Sequence, residues 1–200
     1  MPEFVFGVDV DSVLVELTGP VLSLLNERFG TDFGLEDPVT QSGEGWLLRE
    51  EIRDFYWGLF HDEAFLAKAP PVSGCQEGMR CLRRLGRIHI VTARLPALFT
   101  STAKWLETNG IPYDEIIFAS DKVAVAAEHG IGHFLEDTPE QALALAEAGV
   151  EVFLFDHPWN RLLEHPRVRR VAGWSELIAR LAGYDQDGDT ETQRGTKGLV

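Results

Sequence analysis

The chain has 200 residues, 44% hydrophobic and 25% charged, with 18 Lys and Arg against 32 Asp and Glu. The resulting net charge of −14 opposes counterion-driven binding to a nucleic-acid polymer and docking on an anionic membrane. The length suits one domain with room for a small insert, and a chain of this size hides roughly 70% of its unfolded surface, so it needs no disulfide or metal merely to fold.

The first residues, Met1 to Asp9, lack a basic start and meet an acid at Glu3, so no secretory signal is expected. The apolar runs are only strand-length, and no membrane span is expected. Cys75 and Cys81 lie six apart in one helical stretch, on different faces. Reduced thiols and a cytoplasmic location are the expectation.

Phe4 to Val10 is an apolar run ending in acids and reads as a buried strand. Comparable runs recur at Ile88–Val91, Ile116–Phe118, His133–Leu135 and Val152–Phe155. Helical composition separates them over Gly74–Leu85, Pro96–Asn109, Lys122–His129 and Pro139–Ala148. Thr138-Pro139-Glu140-Gln141 reads as a helix start, with Thr138 capping, Pro139 at the first position and Gln141 closing a capping box. Strands alternating with helices predict an α/β fold with a parallel sheet and right-handed crossovers.

One stretch breaks the alternation. Residues 17–69 carry helical patterns and no convincing strand, which predicts an all-helical cap inserted after the first strand. The expected division is an α/β core over 1–16 and 70–183, a cap over 17–69 and a disordered polar tail over 184–200. Asp185, Asp187 and Asp189 belong to that tail. Gly188 is misplaced for a calcium loop and Thr196 stands where one needs Glu.

The polar groups of interest fall at the carboxyl ends of predicted strands. Asp9 and Asp11 end the first, Thr92 the second, and Glu136 and Asp137 a later one, while Lys122 opens the helix before it. In an open parallel sheet such ends converge on a crevice at the switch in strand order. Four carboxylates crowded there repel strongly. A hard divalent cation resolves this, and Mg²⁺ suits a site shared with a phosphate.

Those residues carry a resemblance. Phe6-Gly-Val-Asp9-Val-Asp11-Ser-Val13 resembles the first motif of the haloacid dehalogenase superfamily, an Asp-x-Asp at the end of strand one. Ile90-Val-Thr92-Ala-Arg94 resembles its second, Lys122 fits the third and Leu135-Glu136-Asp137 the fourth, all in the superfamily's order over residues 4–137. The cap insertion point matches the subclass with a cap between motifs one and two. The whole chain, with Pro158-Trp159-Asn160, is similar to the small 5′(3′)-deoxyribonucleotidase-like group.

The resemblance implies a Rossmann-like core and a chemistry. Asp9 would attack phosphorus and form an aspartyl-phosphate. Asp11 would protonate the leaving oxygen and then activate water. Dehalogenases and P-type pumps of the superfamily lack this second Asp, whereas phosphatases and phosphomutases keep it. Mg²⁺ would be held by Asp9, the Asp11 backbone carbonyl and Asp137, with Glu136 a ligand or a supporting group. Thr92 and Lys122 would hold the phosphoryl oxygens. Arg94 would touch phosphate or pair with an acid.

Three positions depart from the pattern. Ser12 stands where Gly is usual, so the bend there must tolerate a Cβ. Val13 replaces the commoner Thr. Glu136-Asp137 replaces a paired Asp, and the longer Glu would shift metal contact toward Asp137.

In the cap, Leu48, Ile52, Phe55, Tyr56 and Leu59 recur at helical spacing and read as core. Trp46, Arg53, Trp57 and Phe60 fall on a second face. That face would either stack a base and meet a phosphate, with Trp46, Arg53 and Trp57 as substrate contacts, or pack on a neighbouring helix, the reading favoured for Phe60. None of the histidines reads as a metal ligand: Gly130 and Gly132 break any helix joining His129 to His133, and His89 alternates within a strand.

The expected function is Mg²⁺-dependent phosphomonoester hydrolysis on a small phosphorylated metabolite, a nucleoside monophosphate first and a sugar phosphate or biosynthetic intermediate second. A mutase shares Asp9 and Asp11. A non-catalytic phosphate- or metal-binding module is the rival from outside enzymology. The oligomeric state is not legible.

Overall fold

The computed structural model describes residues 4–37 and 49–187. Six parallel strands form one sheet in the order β3-β2-β1-β4-β5-β6. They are β1 (Phe4–Val8), β2 (Gly86–Thr92), β3 (Glu115–Phe118), β4 (His133–Glu136), β5 (Glu151–Phe155) and β6 (Val168–Val171). The order reverses between β1 and β4, which places the switch crevice beside Asp9.

Side chains alternate across each strand, and both faces are apolar, as a sheet covered on both sides requires. Phe6, Val8, Ile88, Ile90, Leu135 and Phe153 pack on one face with α4 (Cys75–Leu85), α5 (Phe99–Thr108) and α8 (Trp174–Asp187). Val91, Phe134, Val152 and Leu154 pack on the other with α6 (Lys122–His129) and α7 (Pro139–Glu147). Gly7 sits beside Phe134 in the β1–β4 register. A Cβ on Gly7 would lie 2.4 Å from that ring, so glycine is needed there to seat Phe134 under the site.

Between β1 and α4 the described residues hold three helices, α1 (Thr18–Phe29), α2 (Glu50–Leu59) and α3 (Glu63–Lys68), and no strand. Val21, Leu22 and Leu25 of α1 join Ile52 and Leu59 of α2 in the same apolar cluster as the sheet. Phe29 and Phe55 meet edge to face at 5.6 Å. Leu48 and Trp46 lie outside the described residues.

The structure differs from the sequence expectation at three places. β6 was not expected: Val-Arg-Arg-Val lacks an apolar run because β6 is an edge strand whose arginines reach Glu151, Asp156 and Asn160. The tail was expected from residue 184, but α8 continues through Asp187, because extending a helix already seated on the core costs little per residue. The capping box at α7 does not form. Thr138 makes no side-chain cap bond; its hydroxyl donates to Asp137 Oδ1 at 3.3 Å and the Gln141 amide donates to Ser120 O at 3.3 Å. Among the described residues no helix is long and apolar enough to cross a membrane, and Cys75 and Cys81 are both free.

Candidate active site

Register brings the chemistry to one level. Val8 pairs with Ile90 and with Leu135, so Asp9, Thr92 and Glu136-Asp137 leave three adjacent strands side by side. The chain after β1 then turns sharply. Leu14 and Val15 amides both donate to Val10 O at 2.9 Å, and the Ser12 amide donates to Val15 O at 2.9 Å. Ser12 takes the left-handed conformation, with φ +61°, which settles how a serine occupies a position where glycine is usual. Trp174 Nε1 pins the turn by donating to Val13 O at 2.8 Å, and the His157 ring bonds to Ser12 O at 3.3 Å.

Asp9 is buried, and its amide donates to Leu135 O at 3.0 Å. Lys122 Nζ lies 2.9 Å from Asp9 Oδ1 and 2.7 Å from Glu136 Oε2. Burial alone would lower the Lys122 pKa, but the two carboxylates outweigh it and hold the ammonium above the usual lysine value. Burial, with Glu136 and Asp11 adding to it, pushes the Asp9 carboxyl up to about 7 despite Lys122. Burial and then Glu136 and Asp9 raise Asp137 well above the carboxylate range.

Glu136 is fully buried, with 0% exposure. Oε2 accepts from Lys122, and Oε1 accepts from the Thr138 amide at 3.1 Å. Its reach is therefore committed to holding Lys122 and the start of α7. Asp137 Oδ1 meets only the Thr138 hydroxyl at 3.3 Å, while its backbone carbonyl accepts from Asn160 Nδ2 at 2.7 Å and Trp159 Nε1 at 3.2 Å. The Asn160 amide also donates to Phe155 O at 2.7 Å. The Pro158-Trp159-Asn160 turn thus clamps the acid pair to β5. Carboxylate oxygens of Asp9, Glu136 and Asp137 lie within 4.8 Å of one another. Three buried acids share one ammonium, and two of them are raised, by burial first and then by their neighbours' charge. This hard-oxygen donor set fits a divalent cation.

Asp11 is gripped by Arg94. Nε lies 3.2 and 3.1 Å from its two oxygens and Nη2 lies 2.5 Å from Oδ1. Arg94 therefore pairs with an acid, though it also lines the cavity. Thr92 is buried and its Oγ1 accepts from the Arg94 amide at 3.2 Å. Ala93 and Arg94 beyond it, not Thr92 itself, face the cavity.

A cavity of about 530 Å³ opens over these groups. Asp9, Asp11, Lys122 and Asp137 form its floor, and Leu22, Leu25, Tyr56, Trp57 and Phe60 of α1 and α2 contribute its walls. Trp57, 50% exposed, lines it. Phe60 also reaches it, rather than only packing on a neighbouring helix. Arg53 does not. It turns outward to Glu50 at 3.3 Å and Asp54 at 3.2 Å, because nearby acids on an exposed helix face hold a guanidinium there. Trp46 lies outside the described residues.

Tyr56 was missed. Its spacing with Ile52 and Leu59 marks a core position, but its phenol is pushed up to about 12 by burial and then by Asp137 and Asp11. The side chain lines the cavity and stays protonated. A hydroxyl on an otherwise apolar face is the signal the sequence offers. Trp159 was quoted only as part of a motif; it lines the cavity and stacks on His157 at 4.3 Å.

A doubly wound, Rossmann-like α/β core with acids and a lysine at the switch point defines a haloacid dehalogenase-type phosphohydrolase. Residues 3–182 match the model of the family described as 5′ nucleotidase, deoxy (Pyrimidine), cytosolic type C protein, and the chain belongs to that family. It is similar to a nucleotidase of Clostridium acetobutylicum, 34% identical over 178 residues, 85% of this chain and 89% of that protein. Two solved structures share the fold. A haloacid dehalogenase-like hydrolase from Streptococcus pneumoniae superposes with a TM-score of 0.64 at 15% identity, covering 90% of this chain and 98% of that one. A hydrolase of the same superfamily from Deinococcus radiodurans, solved with bound phosphate and sodium, gives 0.64 at 20% identity, covering 91% and 96%. The chain is a hydrolase of phosphomonoesters, which removes the non-catalytic reading.

Proposed function

We propose that the chain is a Mg²⁺-dependent nucleotidase that cleaves a nucleoside monophosphate through an aspartyl-phosphate on Asp9. The observation that carries this reading is one cavity with a carboxylate-lysine floor and an aromatic wall. The floor suits a phosphoryl group, and the wall suits a base.

When bound at Asp9 and Asp137, the metal supplies charge neutralisation for the incoming phosphate. The rest falls to the chain. Asp9 presents one oxygen in line with phosphorus; the Oδ–P bond forms as the P–O bond to the nucleoside breaks. Asp11 delivers its proton to the departing oxygen, then takes one from the water that attacks phosphorus and frees Asp9. Lys122 donates to the phosphoryl oxygens as charge spreads over them, and Thr92 holds the Ala93-Arg94 turn that faces them. Glu136 keeps Lys122 aimed.

The test is phosphate release from a panel of nucleoside monophosphates and sugar phosphates, with and without Mg²⁺. The expected result is metal-dependent release that is fastest with a nucleotide and is abolished by Asp9→Asn. Full activity of Asp9→Asn sinks the mechanism. A sugar phosphate at the head of the panel sinks the substrate assignment.

A further inference from the structure

Among the described residues a second group of potential metal ligands lies away from the cavity. His89 is on β2, Glu115 opens β3 beside it in register, and His129 ends α6. His89 precedes Thr92 by three residues, about 10 Å along the strand, so the cluster lies below the catalytic edge on the α6 face of the sheet.

The geometry is that of ligands around a small cation. Glu115 Oε2 is 3.3 Å from His89 Nδ1 and 3.5 Å from His129 Nδ1, and the ligand atoms all lie within 4.8 Å of one another. With metal–ligand bonds of about 2.0–2.1 Å, the edge of a tetrahedron is about 3.3 Å. The two rings face each other at 5.0 Å and 60°. An independent observation points the same way. His89 is 6% exposed, yet neither ring nitrogen makes a hydrogen bond; its approach to Glu115 lacks the alignment of one. A buried imidazole that makes no hydrogen bond is costly, and a metal bond would satisfy it. Arg87 nearby opposes a cation, and the Glu115 carboxylate offsets it.

We propose that His89, Glu115 and His129 bind one Zn²⁺, with water in the fourth position. Two imidazoles and one carboxylate favour zinc over Mg²⁺, which prefers oxygen ligands alone. The ion would join β2, β3 and the last residue of α6. Because Lys122 is the first residue of α6, the clamp braces the helix that aims the catalytic ammonium.

The test uses the full chain, stripped with chelator and held in excess Mg²⁺ to occupy the acidic cluster. Zn²⁺ is titrated against a chromogenic chelator, and thermal unfolding is followed in parallel. The expected result is one Zn²⁺ per chain with a rise in Tm. His129→Ala and Glu115→Gln should each weaken zinc by at least about tenfold and remove the Tm rise. Both positions are outside the buried core, and circular dichroism checks that each variant folds. Co²⁺ in place of zinc should give the intense visible bands of a tetrahedral nitrogen-ligated ion. Absence of zinc binding overturns the proposal. So does binding undiminished in both variants, which would put the ion on Asp9 and Asp137.

Discussion

Arg94 holds both carboxylate oxygens of Asp11, and its remaining nitrogen, Nη1, donates to Thr102 Oγ1 at 3.1 Å. The guanidinium is thus fixed from α5, and it fixes Asp11 in turn. A proton-transferring group works only when its reach is set. Arg94→Ala should lower kcat by about 10²-fold while KM changes little. Arg94→Lys should recover only part, because an ammonium cannot reproduce the fork. Steady-state kinetics of both variants check this.

The raised Asp9 carboxyl predicts an inverted pH dependence of stability. Unfolded, Asp9 titrates near 3.8; folded, it titrates near 7. Between those values the folded state holds a proton that the unfolded state has released, so stability falls as pH rises, then levels above about 7. Asp137 adds in the same direction. Chelator-treated protein should therefore lose stability from pH 5 to 8, on the order of a few kcal/mol. Mg²⁺ should flatten the curve, with its largest effect at the alkaline end. Thermal unfolding with and without Mg²⁺ at each pH measures it.

Ser12 carries a Cβ through the left-handed region, which costs about 1–2 kcal/mol. Ser12→Gly removes that strain and adds about 0.5–1 kcal/mol of chain entropy in the unfolded state. The net expectation is a gain of about 0.5–1 kcal/mol with activity retained. Ser12→Val should destabilise and displace Asp11. Urea unfolding and kcat distinguish the two.

Asn160 Nδ2 bridges Asp137 O and Phe155 O, and its Oδ1 accepts from Arg170 at 2.5 Å and from the His157 amide at 3.2 Å. Asn160→Ala removes a donor from two carbonyls and an acceptor from Arg170, which keeps Asp156 and the Asn160 and Leu163 carbonyls. The expected cost is about 1–3 kcal/mol, with a fall in kcat because Asp137 loses its anchor. Urea unfolding and kinetics measured together check both.

The aromatic wall separates substrate classes. If Trp57 supports a base, Trp57→Ala should raise KM for a nucleotide by about tenfold, matching about 1–3 kcal/mol for base stacking. A sugar phosphate should be unaffected. Equal effects on both substrates would remove the base-stacking role.

The parallel core was legible because its strands are buried on both faces and read as apolar runs. The acids at their ends were legible because residues just past Val8, Val91 and Leu135 must share one edge. β6 was not, since an edge strand needs no apolar run, and Val-Arg-Arg-Val gives no period. The partners within the site were not legible either. Nothing local tells that Arg94 turns to Asp11, or that Arg53 turns to Glu50 and away from the cavity. Those choices depend on which charge lies nearest after folding. Tyr56 was hidden because helical spacing reports a face, not what the face meets. The His89–Glu115–His129 cluster was hidden because its members come from three elements, and sequence spacing was tested only along the chain.

The sheet order carries one more consequence, in time. Both neighbours of β1 lie far along the chain from it: Phe4 pairs with Gly86, and Phe6 pairs with His133. These contacts close long loops before they are rewarded, which slows folding. The strand that presents Asp9 therefore gains one lateral partner only when β2 has been made and the second only when β4 has. Until then its apolar segment Phe-Val-Phe-Gly-Val is where a nascent chain most needs protection from its neighbours.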